Sequence, residues 1–250
     1  MQLGIKSVEV GARVLDVLAQ ARKPLMLKDL AARARLSPSA AHRYLVSYRR
    51  IGLVRQDAST KAYDLGRFAI ELGVSALGRS NFLGAAHEIQ RELRDQLDES
   101  VMVAVWGSHG PVITSVEESS KPVVVTMRVG ATLPLFRTAT GWIFAAFMPR
   151  AILKPIIRAE MAAGRGPIER LGKSGIDKRL ADIRSAHLAS HSGHLLPGIS
   201  AVATTLLDSR GALVAAMSIF GSSEQFDASP TGIAAKLLRD LTSRFATFPT

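Results

Sequence analysis

Apolar positions recur at helical spacing near the start of the chain. Val10, Val14, Val17 and Leu18 fall at i, i+4, i+7 and i+8, with Ser7 placed to cap the helix. Pro24 in "ARKP" stops that run, because proline disfavours helix in the residue before it. A short second helix is predicted over roughly 27–33, with Leu30 and Ala31 facing inward. "ARLSP" then leads into a third helix, where Ser37 is a good N-cap and Pro38 fits the first helical position. Ala41, Tyr44, Leu45 and Tyr48 share one face of it. Ser39, Arg43, Val46 and Arg50 lie opposite, flanked by Ala40 and His42. Two short runs, "LVRQ" and "AYDL", joined by the polar "DASTK", read as a β-hairpin with Arg55 and Lys61 near its tip.

The pattern changes from Asn81 onward. Ile89, Leu93 and Leu97 recur every four residues, which predicts a helix. Alternating or β-rich runs follow in "VMVAVWG", "VITSVEE" and "PVVVTM". Helical segments are expected at "TATGWIFAAF" and over about 149–162 and 177–190. Two more strands, "ISAVATTLLD" and "LVAAMSIFG", flank the turn "DSRG", and a last helix is expected over 229–246. Strands in two groups among helices predict an α+β fold with one antiparallel sheet. The expected division is 1–66, a linker helix over 67–80, and 81–250.

Charge sharpens this picture. The chain carries a formal net charge of +11. Residues 1–80 hold 14 Lys and Arg against 6 Asp and Glu, so the excess sits mainly in the first third, where it can attract a polyanion. Hydrophobic residues make up 47%, enough for a substantial core. No apolar run approaches the roughly 18 residues of a membrane span. The first twenty residues lack a signal-peptide pattern, and there is no cysteine. A cytoplasmic protein without membrane association, disulfides or thiolate chemistry is the expectation.

The slim start of the third helix fits a DNA groove, and from it Ser39, His42 and Arg43 reach base edges or phosphates. An ordinary surface helix with scattered polar residues is the alternative reading of that helix alone. Three short helices and a basic hairpin describe a winged helix-turn-helix. Enzyme motifs are poor. Gly-Lys-Ser in "GRGPIERLGKSG" has the wrong spacing for a phosphate loop, and no GxSxG elbow occurs. In "HLASHSGH", His187 and His191 are spaced to share a helix face and, with His194 or a nearby acid, to bind zinc; no HExxH pattern occurs and no acidic ligand lies close by, so favourable histidines at an exposed helix end are the preferred reading. The expectation is no metal and no cofactor.

The first eighty residues resemble the winged helix-turn-helix of IclR-type transcriptional regulators. The resemblance rests on the Ser-Val opening helix, Leu-Ser-Pro-Ser, the His-Arg pair and a hairpin ending in "YDLG", followed by "RFAIELGVSALG" where that family has a linker helix. It implies DNA contacts from Ser37, Ser39, Ala40, His42 and Arg43 on the third helix, Lys28 at the second, and Arg55 and Lys61 on the wing. Ala40 stands where the family often has threonine, which removes a phosphate hydrogen bond.

The second half is similar to the family's GAF-like effector-binding domain, through "RVGATLPLFRTATGWIFAAFMP", "LADIRSAHL" and "GISAVATTLLDSRGALVAAMSIFG". The resemblance implies an effector site at Val103, Leu135, Phe136, Thr138, Ala139, Gly141, Trp142, Ile199, Ser200 and Ala201. Phe136 replaces a frequent histidine, Trp142 a smaller or basic residue, and the usual acidic residue is absent from "HLLPGISAVA". These departures point to an aromatic or hydrophobic carboxylate as effector. The expected protein is a ligand-responsive regulator binding a double-stranded operator as a homodimer or dimer of dimers. A binding or protein-association module without operator reading is the runner-up, and a metal-dependent enzyme is third.

Overall fold

The computed structural model describes residues 4–79, 82–121, 127–164, 168–192 and 197–247. The chain divides into two compact units, Met1–Ser80 and Asn81–Thr250.

The first unit is built on α1 (Lys6–Gln20), α2 (Leu27–Ala34) and α3 (Pro38–Arg50). Val14, Leu18, Leu30, Ala31, Ala41 and Leu45 close its core. Helix α1 begins at Lys6, one residue before Ser7. Ile5 is its N-cap, and the Ile5 carbonyl accepts the Val8 and Glu9 amides, so Ser7 does not act as the cap. A Cβ at Gly11 would lie 2.1 Å from the Tyr48 hydroxyl, so glycine is what lets the Tyr44/Tyr48 face of α3 approach α1. Helix α2 ends at Arg35, which adopts the left-handed conformation, while the Leu36 amide returns to the Ala31 carbonyl at 2.9 Å.

The hairpin strands β1 (Val54–Gln56) and β2 (Tyr63–Leu65) pair antiparallel. Leu25 adds a bridge to Tyr63, with both backbone hydrogen bonds made. Gly66 lies against the Gly52 carbonyl, where a Cβ would come within 2.1 Å, and α4 (Arg67–Gly78) starts immediately after it. Within this unit α4 buries none of its side chains.

The second unit is a five-stranded antiparallel sheet with helices on both faces. Its strands are β3 (Ser100–Gly107), β4 (Gly110–Glu117), β5 (Leu188–Ser192), β6 (Ile199–Leu207) and β7 (Leu213–Ser222), in the spatial order β4-β3-β7-β6-β5. Helices α5 (Phe82–Leu97) and α9 (Ile233–Ser243) cover one face, over Val101, Val103, Val202 and Ile219. The other face carries Met102, Ala104, Ala203 and Phe220. Helix α6 (Ala139–Phe147) lies on it and is buried nearly all round, as an apolar helix in a core must be. Helices α7 (Arg150–Ala162) and α8 (Ile168–Ala186) complete that layer.

Several boundaries differ from the sequence reading. The helix expected over 177–190 stops at Ala186. His187 takes φ +50°, and the chain leaves as edge strand β5. Glycine at position 172, φ +61°, breaks α8 near its start. The last helix is shorter than expected and passes into a 3-10 turn at Arg244–Thr247. Most of the expected strand "PVVVTM" lies outside the described residues. Among the described residues no helix is long and apolar enough to cross a membrane.

Candidate nucleic-acid interface and ligand cavity

The start of α3 is pinned by its own sequence. Ser37 Oγ accepts the Ala40 amide at 3.2 Å and lies 3.2 Å from Ser39 Oγ, with Pro38 at the first helical position. Leu45 and Ala41 anchor the opposite face in the core. Ser39, His42 and Arg43 therefore stand together in solvent, with Ala40 half-buried beside them. Lys28, second residue of α2, is also exposed.

The wing places its two predicted cations differently. Arg55 is in the ladder directly opposite Asp64, to which its guanidinium donates at 2.6 Å. It is therefore not a tip residue: the two strands need residues 57–62 to turn, and Arg55 falls before them. Lys61 is in that turn, exposed, with φ +61°. The sequence reading missed Gln56 and Asp57. Gln56 accepts from Arg49 Nη1 at 3.0 Å, and Asp57 is the hydrogen-bond hub of the turn. The signal for the latter is Asp57 followed by Ser59 and Thr60, the pattern of a side chain capping its own turn.

In the second unit a cavity opens between the start of α6 and the sheet. Its volume is about 30 Å³, and it opens to solvent. Thr138, Ala139, Ile199 and Ala201 of the expected residues line it. They share it with Met102, Met127, Arg137, Thr140, His191 and Phe220, which the sequence reading did not select. Thr138 caps α6 by accepting the Gly141 amide at 2.8 Å and donates to the Pro134 carbonyl at 2.9 Å. These two hydrogen bonds of Thr138 hold the strap before α6, and Glu160 of α7 fixes the same strap by accepting the Leu135 amide at 2.7 Å. Thr140 is buried and hydrogen-bonded to Ser218 across the helix–sheet junction.

The remaining expected residues do not line the cavity. Leu135, Phe136 and Trp142 are fully buried core: the Trp142 indole donates to the Phe136 carbonyl at 3.1 Å and meets the Phe136 ring edge-on at 4.9 Å. Gly141 is a packing position, since a Cβ there would lie 2.2 Å from the Pro134 carbonyl oxygen. Val103 and Ser200 lie on the opposite sheet face. Strand side chains alternate, so their neighbours Met102, Ile199 and Ala201 face the cavity instead. Ser200 Oγ shares a hydrogen bond with Ser223 Oγ at 2.8 Å.

The zinc-like reading of the histidines is corrected by the same boundary that ended α8. His187 and His191 do not share a helix face. The His187 ring packs 5.0 Å from that of Phe147 and its Nδ1 lies 3.1 Å from Thr205 Oγ1, whereas His191 is on β5 at the cavity. His194 lies outside the described residues.

The IclR C-terminal domain of bacterial transcriptional regulators matches residues 74–246, and the IclR helix-turn-helix domain matches residues 7–58. The chain belongs to the IclR family. A probable transcriptional regulator SauR of Cupriavidus necator is 24% identical over 207 residues, covering 83% of this chain and 82% of that protein. The crystal structure of Pseudomonas aeruginosa HmgR is 33% identical, covers 97% of both chains and superposes with a TM-score of 0.63. An IclR homologue from Microbacterium hydrocarbonoxydans, solved in complex with 4-hydroxybenzoate, is 20% identical, covers 97% of this chain and 98% of its own, and has a TM-score of 0.75. As an IclR-family member the chain is a DNA-binding transcriptional regulator, and its relatives are regulators rather than enzymes.

Proposed function

We propose that this regulator reads an operator with α3 and the wing and is controlled by a small aromatic carboxylate bound between α6 and the sheet. The cavity carries the reading. Its walls are largely apolar, from Met102, Ile199, Ala201 and Phe220, which match a ring in chemistry, and binding one requires the cavity to widen. Its polar residues are few: Arg137 and the N-terminal turn of α6 are of the kind that favours an anion, and Thr140 and His191 are of the kind that hydrogen-bonds one. The solved relative with 4-hydroxybenzoate supports the same ligand class.

On the DNA side, Arg43 makes the specifying or strongest phosphate contact, with Ser37, Ser39, Ala40 and His42 around it. Lys28 and Lys61 add phosphate contacts. Arg55 is partly neutralised by Asp64 and contributes less. A homodimer, or a dimer of dimers, presents two recognition helices to a palindromic site. The apolar exposed side chains of α4, such as Ile70 and Val74, supply its seam. The effector changes operator affinity only by binding the DNA-competent and incompetent arrangements unequally.

The test combines two measurements on the full chain. Fluorescence anisotropy compares the duplex upstream of the chain's own gene with a scrambled duplex, for wild type and Arg43→Ala. Preference for the native duplex, weakened about ten- to hundredfold in the variant, is expected for a lost bidentate contact. A thermal-shift series then runs from benzoates to short keto acids on wild type and Arg137→Ala. Stabilisation by the aromatic acids, lost in the variant, is the expected result; stabilisation by small polar acids alone defeats the ligand assignment.

A further inference from the structure

The wing tip is tied down more heavily than an exposed turn requires. Lys61 has φ +61°, a backbone region that side chains bearing a Cβ rarely adopt. Two bonds keep it there. The Lys61 amide donates to the Asp57 carbonyl at 3.0 Å, and its own carbonyl accepts from Gln56 Nε2 at 2.9 Å.

Asp57 then organises the rest of the turn through a single oxygen. Its Oδ1 accepts from the Ser59 hydroxyl at 2.6 Å, the Thr60 amide at 2.7 Å, the Thr60 hydroxyl at 2.9 Å and the Ser59 amide at 3.0 Å. Gln56 carries the connection the other way, since its Oε1 accepts from Arg49 in the last turn of α3. An unbroken chain of side chains therefore runs from the recognition helix, through Gln56, to the backbone of the wing-tip lysine.

Charge alone makes Asp57 a poor choice here. A carboxylate four residues from Lys61 repels the same phosphates that the lysine attracts. Simple electrostatics therefore expects its removal to tighten DNA binding. The hydrogen-bond geometry expects the reverse, because a free tip must be ordered when it meets the duplex.

We propose that Gln56 and Asp57 are positioning residues for DNA binding, which hold Lys61 in its left-handed backbone conformation and at a fixed place relative to α3. Lysine and recognition helix then engage the duplex as one pre-ordered surface. This rests on the assignment of α3 and the wing as the DNA-reading module.

The test uses the full chain and a duplex enriched from a random pool by the wild-type protein. Anisotropy across a salt series gives affinity and salt slope for wild type, Lys61→Ala, Asp57→Ala, Asp57→Asn, Gln56→Ala and the double variant Asp57→Ala/Lys61→Ala. Lys61→Ala should weaken binding several-fold and lower the magnitude of the salt slope by about 0.9, the value of one phosphate contact. Asp57→Ala should weaken binding in the same way, although it removes a negative charge. Asp57→Asn keeps an acceptor oxygen and should retain most of the affinity. The double variant should bind no worse than Lys61→Ala, because Asp57 acts through Lys61.

Tighter or unchanged binding by Asp57→Ala overturns the proposal, as do additive losses in the double variant or no effect of Lys61→Ala. A thermal melt accompanies each variant. If Asp57→Ala does not fold, Gln56→Ala carries the test, with the same loss and slope change expected. Failure of the wild type to enrich any duplex defeats the DNA-reading assignment itself, an outcome distinct from normal enrichment with an indifferent Asp57.

Discussion

The Arg179 guanidinium lies 4.3 Å over the Trp142 ring, and one of its nitrogens donates to the Ser190 carbonyl at 2.8 Å. One side chain of α8 thus ties the buried aromatic floor of α6 to edge strand β5. Burial pushes its basicity below the usual arginine range, yet a guanidinium stays charged. Replacing it with methionine keeps much of the volume but loses the cation–π contact and the bond to β5. We expect a loss of about 1–3 kcal/mol in urea unfolding, with lysine intermediate. Because His191 follows Ser190 on β5, the aromatic-acid thermal shift should also shrink in the methionine variant; an undiminished shift would separate β5 from the cavity.

Two glycines on helices should respond to alanine with opposite signs. At an open helical site, Gly→Ala stabilises by roughly 0.5–1 kcal/mol through the unfolded chain. Gly84 of α5 has nothing within 4 Å of its would-be Cβ, so Gly84→Ala should raise the melting temperature. At Gly141 the added carbon meets the carbonyl oxygens of Pro134 and Leu135 at 2.2 and 2.3 Å, both backbone atoms that cannot swing aside. Overpacking of about 1–3 kcal/mol exceeds the helix gain there, and Gly141→Ala should melt lower. Equal shifts at the two positions would mean that the strap before α6 is free to move.

The winged module was legible because its signals are local. Ser37-Pro38 announces the start of α3, and the apolar spacing in α1 and α3 picks out Val14, Leu18, Ala41 and Leu45, all buried. The cavity was harder for two physical reasons. On a strand, the expected Val103 and its neighbour Met102 are one residue apart in sequence and a whole sheet face apart in space, and it is Met102 that faces the cavity. His191 was hidden because helical periodicity continues through "LADIRSAHLAS", and a left-handed His187, with no glycine to mark it, ends the helix. Arg55 was placed near the tip because length alone does not fix hairpin register; the Arg55–Asp64 pair does.

Acid should act on the second unit through Asp98. Its carboxylate accepts the Ser120 amide and the Ser120 hydroxyl, each at 2.8 Å, and these bonds hold its pKa below the ordinary value of 3.8. A carboxylate depressed in the folded state adds stability that is complete above the ordinary value and disappears as pH falls through the lower, folded one. The melting temperature should therefore lose this contribution only below about pH 4. Asp98→Ala should melt lower than wild type at pH 6, and the gap should close as pH falls through the folded-state pKa; a gap that stays constant into acid would assign its effect to packing.

The last prediction concerns α4, whose Ile70 and Val74 are four residues apart and each 64% exposed. Side chains at that spacing share a helix face, and no residue of the first unit covers them. If they form the seam between two copies, replacing both by lysine places like charges across it. The full chain should then pass from dimer to monomer in light scattering. The melting of the winged module should hold, because Val14, Leu18, Leu30 and Leu45 are untouched. Operator affinity should fall about a hundredfold or more, since the second half-site contact is no longer intramolecular, while binding to a single half-site stays at the wild-type monomer level. A double-lysine variant that remains dimeric and keeps its operator affinity would move the seam to the second unit.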